Sequence, residues 1–309
     1  MTSTSTTKDQ SGTAGRQGIS SQLRGIFDAA GAEGYLHCRD LSSGAEVALE
    51  ADRPVVTASV FKLPVLVEYC CQAATGQVQE TERVRVPAEG RTIGPSGLSV
   101  LLDDVELSWR DLVTSMMTVS DNCATDVILN RLGLDAVNQR LASLGLVQTT
   151  LIGDCRRLLD EFVEDVGGQE AANSIGPDTE PSMLAIARTL DPARTNRTTA
   201  REMTSLLARI WQDSAGAPEA CAEARRILRL QLFRDRLRAG FPDEVQVAGK
   251  TGTLPGIRNE VGVVEYPDQA CYSVAVFTRA RSPGQVQPAI DASIGRAARA
   301  AVDWLRADA

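Results

Sequence analysis

The sequence is short of the residues on which most hydrolytic and metal sites depend. Its 309 residues include a single histidine, His37, and only three lysines, Lys8, Lys62 and Lys250, among 32 basic residues. One histidine, in a segment typical of a strand, excludes a histidine-rich zinc site and argues against a Ser-His-Asp triad. We therefore expect His37 to be structural and expect no metal and no cofactor. Any serine chemistry would need lysine or a carboxylate as its base.

Long apolar runs and net positive charge are also missing. No stretch approaches the roughly 20 apolar residues that span a bilayer, and the net charge is −8. These features predict a globular protein without a membrane or nucleic-acid partner. Residues 1–18 are polar and lack the apolar segment of a signal peptide, so we expect a disordered tail and a cytoplasmic location. Secretion or a periplasmic location is the alternative if the N-terminus has been trimmed.

The seven cysteines form no recognisable framework. They stand at positions 38, 70, 71, 123, 155, 221 and 271. The number is odd, the spacing is not that of a metal site, and Cys70 and Cys71 are adjacent within an apolar run. We expect reduced, buried thiols, Cys123 included, rather than disulfides.

One stretch carries the elements of a reactive site, Thr57-Ala58-Ser59-Val60-Phe61-Lys62, and an apolar run follows it. If the run is a helix, positions i and i+3 share a face, so Ser59 Oγ and Lys62 Nζ meet at its start. A serine hydroxyl becomes a nucleophile when a base takes its proton, and a lysine can be that base when burial lowers its pKa. The alternative is a structural lysine whose stem covers a core helix. An amine kept in a chain that otherwise uses arginine favours the reactive pair.

Periodic patterns predict the architecture. The N-terminal part shows a helix and then a strand–turn–strand pattern over residues 34–49. The middle of the chain is mainly helical, with one helix predicted to begin over 98–102 and Ser108 as the predicted N-cap of the next. Residues 153–197 are the least readable part, within which 180–190 fit a short helix. The last part predicts a strand at 245–252, a hairpin of Asn259–Tyr266 with Cys271–Thr278, and a closing helix.

These patterns predict an α/β chain of the α+β type. One antiparallel sheet would be built from both termini, residues 19–51 and 206–309, and flanked by helices. An all-helical domain would be inserted at residues 52–205. No internal repeat is visible.

Two further motifs follow the reactive stretch: Ser120-Asp121-Asn122 in a predicted loop between helices, and Lys250-Thr251-Gly252 at the end of a predicted strand. Alone, the first could be an ordinary N-cap and the second an ordinary turn. In this order, with two of the three lysines inside them, the three motifs make the chain resemble the class A β-lactamases and penicillin-binding proteins. The resemblance extends from about residue 20 to the C-terminus.

The resemblance implies a β-lactamase-like fold and three catalytic roles. Ser59 would attack an acyl carbonyl and form an acyl-enzyme. Lys62 would take the serine proton, directly or through a water. Ser120 would relay a proton to the leaving nitrogen.

It also implies residues that bind the substrate. Asn122 would hold a substrate amide and the catalytic amine. Lys250 would lower the pKa of that amine and attract a substrate carboxylate, which Thr251 and Arg258 would also contact. The backbone N–H of Thr253 and that of the nucleophile would form the oxyanion hole.

The base for deacylation is the least defined part of the resemblance. Class A hydrolysis uses a glutamate in a loop after the second motif. Glu180-Pro181 resembles the start of that loop motif, although Leu184 stands where the family has asparagine. Asp160 or Glu161 is the alternative to Glu180.

Three functions remain open from the sequence. The first is a serine hydrolase that cleaves a β-lactam or related amide. The second is an acyltransferase, transpeptidase or esterase that acts on a small specialised metabolite through the same acyl-enzyme. The third is a non-catalytic sensor of β-lactams or peptides. In each case the expected partner is a small molecule bearing a carboxylate.

Overall fold

A computed structural model describes residues 7–176, 179, 181–284 and 286–307. The strands within these residues are β1 (Ala32–Asp40), β2 (Glu46–Leu49), β3 (Val55–Val56), β4 (Arg83–Val86), β5 (Val105–Ser108), β6 (Arg197–Thr198), β7 (Gln246–Leu254), β8 (Ile257–Glu265) and β9 (Cys271–Ala280). The helices are α1 (Thr7–Ala29), α2 (Lys62–Ala74), α3 (Trp109–Thr118), α4 (Asn122–Leu132), α5 (Leu134–Ser143), α6 (Cys155–Asp165), α7 (Gln169–Asn173), α8 (Pro181–Ala185), α9 (Ala200–Trp211), α10 (Pro218–Leu228) and α11 (Pro288–Ala307).

The central sheet has five strands in the order β2-β1-β9-β8-β7, and every neighbouring pair is antiparallel. Its strands come from both ends of the chain, as the sequence predicts. The predicted hairpin is confirmed, because Glu265 pairs with Cys271 across the turn between β8 and β9. Strand β7 is an edge strand, and this edge packs against the segment that carries Ser59.

Two apolar cores cover the two faces of the sheet. One lies against α1 and α11 and contains Phe27, Val276 and Ile294. The other joins the sheet to α2 and its neighbouring helices and contains Phe277 and Leu66. Val276 and Phe277 are adjacent in β9 and enter opposite cores because successive strand side chains point to opposite faces. The second core therefore packs the helical part onto one face of the sheet, and the site lies at the β7 edge of that sheet.

Local sequence signals account for several element ends. The Ser108 side chain accepts a hydrogen bond from the backbone N–H of Asp111 and caps α3, as predicted. Thr199 caps α9 in the same way through the N–H of Glu202. Such caps each contribute roughly 1 kcal/mol because they satisfy a donor that the helix cannot.

The structure differs from the sequence predictions at three places. Helix α1 begins at Thr7, so the predicted tail of residues 1–18 is helical from there, and residues 1–6 lie outside the described part. An existing helix extends at low cost, because each added residue brings one hydrogen bond. The helix expected over 98–102 is a 3₁₀ turn, Gly97–Val100. The helix expected over 180–190 is divided between α8 and a 3₁₀ turn, Arg188–Leu190.

Helix α9 crosses the boundary that we set at residues 205/206, and it packs on β1 and β9. The single histidine lies at this contact. His37 Nδ1 is 2.5 Å from Thr204 Oγ1, and its Nε2 is 3.1 Å from a Glu46 carboxylate oxygen. Burial, followed by the charge of Arg201, lowers the pKa of His37. These contacts give His37 the structural role that the sequence predicts.

The seven cysteines are free thiols, and six of them are buried. Among the described residues, no cluster of three or more His, Cys, Asp or Glu side chains has a metal-binding arrangement. No helix in this part of the chain has the length and apolar character needed to cross a bilayer.

Candidate active site

Ser59 lies in a 3₁₀ turn, Ala58–Phe61, directly before α2, whose first residue is Lys62. Side chains three residues apart eclipse one another in a 3₁₀ turn, so the serine and the lysine lie on one side of the chain. Ala58 has a φ of 45°, in the left-handed region that non-glycine residues rarely adopt. Such a conformation costs on the order of 1–3 kcal/mol and is concentrated at functional sites. The strained residue immediately precedes the predicted nucleophile.

Lys62 is fully buried, and its amine meets the loop that carries the second motif. Its Nζ donates to the Ser120 carbonyl oxygen at 2.7 Å, to Asn122 Oδ1 at 2.9 Å and to Ser120 Oγ at 3.2 Å. Burial lowers the pKa of Lys62, and nearby Asp121 and Asp126 oppose the shift. The amine therefore loses its proton more easily than an exposed lysine, as a base requires.

Lys250 brings a second buried amine to the same hydroxyl. Its Nζ donates to Ser120 Oγ at 2.9 Å and to the Thr251 carbonyl oxygen at 2.8 Å. Burial, and then the charges of Lys62 and Arg236, hold the pKa of Lys250 well below the ordinary lysine value. The pKa values of both amines are lowered, and the charge of Lys62 contributes to the lowering at Lys250. Because like charges repel, the two amines titrate as a pair.

The loop of the second motif is fixed by its central aspartate. Asp121 is fully buried, caps α4 through the N–H of Ala124, and accepts from the N–H of Leu98 and from Ser115 Oγ, both at 2.7 Å. Ser120 has a φ of 58°, a second left-handed non-glycine residue at the site. The aspartate thus holds a strained loop in the conformation that presents Ser120 Oγ to both lysines.

Gly252 in the third motif permits the close approach of β7 to the nucleophile segment. A Cβ atom at this position would lie 2.7 Å from the Thr57 carbonyl oxygen and 3.2 Å from the Ala58 Cβ. Only glycine avoids that overlap. Thr253 follows directly and lines the same cavity as Ser59, where the two backbone N–H groups of the predicted oxyanion hole would be needed.

Arg258, a predicted substrate contact, is directed elsewhere. It is buried, and its guanidinium donates to the carbonyl oxygens of Leu254, Ile257 and Gly284, with Asp291 at 3.7 Å. It does not line the cavity beside Ser59. These carbonyl oxygens belong to β7, β8 and the segment after β9, and the side chain does not reach the cavity.

Arg236 is the arginine that reaches the third motif, and the sequence analysis missed it. Its guanidinium donates to Thr253 Oγ1 at 2.8 Å, to the Gly252 carbonyl oxygen at 3.0 Å and to Asp291 at 2.7 Å. It is buried, and it lies in the irregular segment between α10 and β7. No periodic pattern in the sequence marks that segment, so the only available signal was its place before the third motif.

A cavity of about 380 Å³ opens beside Ser59. Asn122 and Thr253 line it, and helix α6 contributes Cys155, Leu158 and Leu159 to its wall. Thr251, in contrast, is buried and does not line it. Burial raises the pKa of Cys155 to about 12, so this thiol is uncharged at neutral pH.

The segment expected to supply the deacylation base is only partly described. Glu180 lies outside the described residues. Asp160 is exposed on α6, and Glu161 pairs with Arg157, so neither alternative lines the cavity. Within the described lining there is no carboxylate, and the α6 wall is apolar instead.

The start of α6 is anchored by Asp126, which the sequence analysis did not identify. Its carboxylate accepts from the backbone N–H groups of Cys155 and Arg156, at 2.8 and 3.0 Å, and from Thr92 Oγ1 at 2.6 Å. Burial raises the pKa of Asp126. This carboxylate ties α6 to α4 and so sets the position of the cavity wall.

Comparisons with known proteins agree with this geometry. The model of the beta-lactamase enzyme family matches residues 18–305. The beta-lactamase regulatory protein BlaB of Streptomyces cacaoi is 30% identical over 302 residues, covering 92% of this chain and 96% of that protein. A beta-lactamase of Streptomyces albus G is 27% identical over 271 residues, covering 83% and 76%. The structure of a beta-lactamase from Sphaerobacter thermophilus, 24% identical, superposes with a TM-score of 0.74 over 93% of this chain and 96% of that one.

Proposed function

The chain belongs to the beta-lactamase enzyme family, and we propose that it forms an acyl-enzyme at Ser59 with a β-lactam or related amide and then hydrolyses it. One observation carries this proposal. Lys62 and Lys250, both fully buried, converge on Ser120 Oγ next to a cavity that Ser59 lines. Two ammonium-type groups buried together favour loss of a proton, and the neutral amine is the base that a serine nucleophile needs.

The hydrogen bonds around Lys62 support a route for the proton. A neutral amine has two N–H donors and one lone pair, so one of its three contacts must reverse. Of the three acceptors, only Ser120 Oγ can donate in return. The described residues place no hydrogen bond between Lys62 Nζ and Ser59 Oγ, and such contacts in a free enzyme often shorten only when substrate binds.

The chemical steps follow from these positions. The Ser59 oxygen bonds to the carbonyl carbon while its proton passes to Lys62 Nζ. The C–N bond of the amide then breaks, and Ser120 Oγ–H supplies the proton that the leaving nitrogen takes up, while Lys62 Nζ passes the proton it received on to Ser120 Oγ. The backbone N–H groups of Ser59 and Thr253 would stabilise the oxyanion, a contribution of about 3 kcal/mol per donor. Arg236 and Lys250 supply the positive charge toward which a substrate carboxylate is drawn.

A second candidate function is a sensor or acyl carrier that keeps its acyl group. Two observations favour it. The described lining of the cavity carries no carboxylate that could activate water, and a relative that is 30% identical is named a regulatory protein. A slowly hydrolysed acyl-serine could report the presence of a β-lactam, or an amine or alcohol could intercept it, as in an acyltransferase.

Labelling with a fluorescent penicillin, combined with turnover of a chromogenic cephalosporin, separates these functions. We expect one label per chain in the wild type and none in Ser59→Ala. Turnover far beyond one product per chain supports the hydrolase, whereas a single burst with a persistent label supports the sensor. Product formation that appears only with an added amine or alcohol supports acyl transfer. Equal labelling of wild type and Ser59→Ala would contradict all of them.

A further inference from the structure

A second cavity, of about 360 Å³, lies beside the first residues of β7, and we call it the β7 cavity. It shares no lining residue with the cavity beside Ser59. The segment between α10 and β7 lines it with Gln231 and Phe233, and β7 itself contributes Gln246 and Val247. Because β7 is an edge strand, this cavity lies at the margin of the sheet and not within one of the two cores.

A buried carboxylate lines the β7 cavity. Glu260 is 1% exposed and lies on β8, opposite Thr251 of β7. Its Oε2 accepts a hydrogen bond from the backbone N–H of Leu237 at 2.7 Å. Its Oε1 accepts none from any described residue, and yet this oxygen is not sealed within the protein as the unpaired Tyr69 hydroxyl is. Oε1 is therefore open to the cavity.

The two cations whose charge acts on Glu260 are engaged elsewhere. Arg236 pairs with Asp291 at 2.7 Å, and Lys250 Nζ donates to Ser120 Oγ at 2.9 Å. Among the described residues, neither cation forms an ion pair with Glu260. The protein therefore supplies positive charge nearby without a donor for the open oxygen.

The other charged side chains of the lining do not supply that donor either. Two of its arginines are held in ion pairs, Arg229 with Glu265 and Arg238 with Asp243. Arg234 and Glu244 also line the cavity, but they are exposed and of opposite sign, so solvent screens charges that already offset one another. Within the described lining, Glu260 is thus the buried carboxylate that lacks a cation partner.

The energetics of Glu260 match an unfilled position for a cation. Burial raises the pKa of Glu260 to about 7, and the nearby carboxylate of Asp235 adds to the shift. The Leu237 N–H and the charges of Arg236 and Lys250 oppose the shift. A buried carboxylate is costly to ionise when no cation is paired with it, and a cation brought into the cavity would offset that cost.

We propose that the β7 cavity binds a small organic cation whose ammonium or guanidinium group pairs with Glu260 Oε1. Its volume of about 360 Å³ accommodates such a group on a stem of several carbon atoms, and Phe233 and Val247 offer apolar surface to the stem. This binding site is additional to the proposed acylation of Ser59, because the β7 cavity and the Ser59 cavity have no lining residue in common.

Binding of butylguanidinium to the full chain tests the proposal, and N-butylurea serves as the uncharged compound of nearly the same shape. Dissociation constants are measured by ligand-observed NMR at pH 8. We expect a Kd of about 1 mM or tighter for butylguanidinium. We expect N-butylurea to bind at least ten-fold more weakly, because it brings no charge to the carboxylate.

The pH dependence of binding identifies the carboxylate. A proton and the cation compete for Glu260, and with a pKa of about 7 this group is mostly ionised at pH 8 and mostly protonated at pH 6. The Kd of butylguanidinium should therefore be about ten-fold weaker at pH 6 than at pH 8. The guanidinium group itself stays charged over this range.

Two variants assign the contact. Glu260→Gln keeps the shape of the side chain and removes its charge, so it should weaken butylguanidinium binding at least ten-fold at pH 8 and abolish the pH dependence. Glu244→Gln removes an exposed carboxylate from the same lining and should change the Kd by less than about two-fold. Labelling of Ser59 by a fluorescent penicillin and the melting temperature report whether each variant is folded. If Glu260→Gln does not fold, the N-butylurea comparison and the pH dependence of the wild type decide the question.

Four results would overturn the proposal. They are no binding of butylguanidinium at about 50 mM, equal affinity for N-butylurea, the same Kd at pH 6 and pH 8, and a folded Glu260→Gln protein that binds as Glu244→Gln does. Each of them leaves the proposed acylation untouched, since labelling of Ser59 is measured separately.

Discussion

Replacing Lys62 by methionine removes the amine while keeping a side chain of similar length and apolar character. In the wild type this amine makes three hydrogen bonds, at 2.7, 2.9 and 3.2 Å, and is fully buried. A positioned base typically contributes a factor of about 10²–10⁴ to a proton transfer. We therefore expect acylation of Ser59 to slow by about that factor, which corresponds to about 3–5 kcal/mol in the barrier.

The pH dependence of acylation distinguishes a base from a merely structural lysine. Burial lowers the pKa of Lys62 from its ordinary value near 10.5. The reactive form is the neutral amine, so the wild-type rate should rise with pH and level off below 10.5. Lys62→Met should lack this rise, because the group that loses the proton is gone.

The assay is stopped-flow acylation by a fluorescent penicillin from pH 6 to pH 10. Arg24→Met is the matched control, since it removes one positive charge from an exposed side chain that pairs with Glu50 at 3.6 Å. The control should follow the wild-type profile. A Lys62→Met protein that keeps the wild-type rate, or a slower one that keeps the same rise with pH, would refute the assignment of this lysine as the base.

Three other predictions concern the scaffold of the site. Gly252→Ala should abolish acylation and lower the unfolding free energy by about 1–3 kcal/mol, because its Cβ would lie 2.7 Å from the Thr57 carbonyl oxygen; normal labelling and an unchanged urea midpoint would contradict this. Arg236→Ala should lower the unfolding free energy by roughly 3–5 kcal/mol in urea titration, since Asp291 loses the nearer of its two arginine partners, at 2.7 Å; a loss below 1 kcal/mol would show that the pair contributes little. Burial raises the pKa of Glu260 from 4.5 to about 7, so the folded form binds an extra proton between these values and wild-type stability should fall as pH rises through that window. Glu260→Gln should remove this fall. If the change in melting temperature between pH 5 and pH 8 is the same for the wild type and for Glu260→Gln, the account is contradicted.

Elements set by short-range signals could be predicted from the sequence. The turn between β8 and β9 and the Ser108 cap of α3 depend on a few adjacent residues, and the structure confirms both. Helical spacing predicted that Ser59 and Lys62 meet, and the resemblance placed Lys250 beside them. In the structure the two lysines meet at Ser120 Oγ, and Ser59 lines the adjacent cavity.

Long-range contacts explain what the sequence analysis missed. Asp126 anchors the start of α6 across about 30 residues of chain, and nothing in the local pattern links the two segments. Arg236 bonds to β7 and to Asp291, which are distant in sequence, whereas Arg258, nearer to the third motif, turns toward neighbouring carbonyl oxygens. An arginine in sequence cannot be assigned a partner until the backbone around it is known.

The most direct measurement of the central claim is the mass of the intact chain, followed by peptide mapping, after reaction with phenylacetyl penicillin. The account predicts one adduct per chain, on Ser59, and no adduct in Ser59→Ala. No adduct at all, or an adduct on another group such as the partly exposed thiol of Cys271, would contradict the claim that two buried amines make Ser59 reactive.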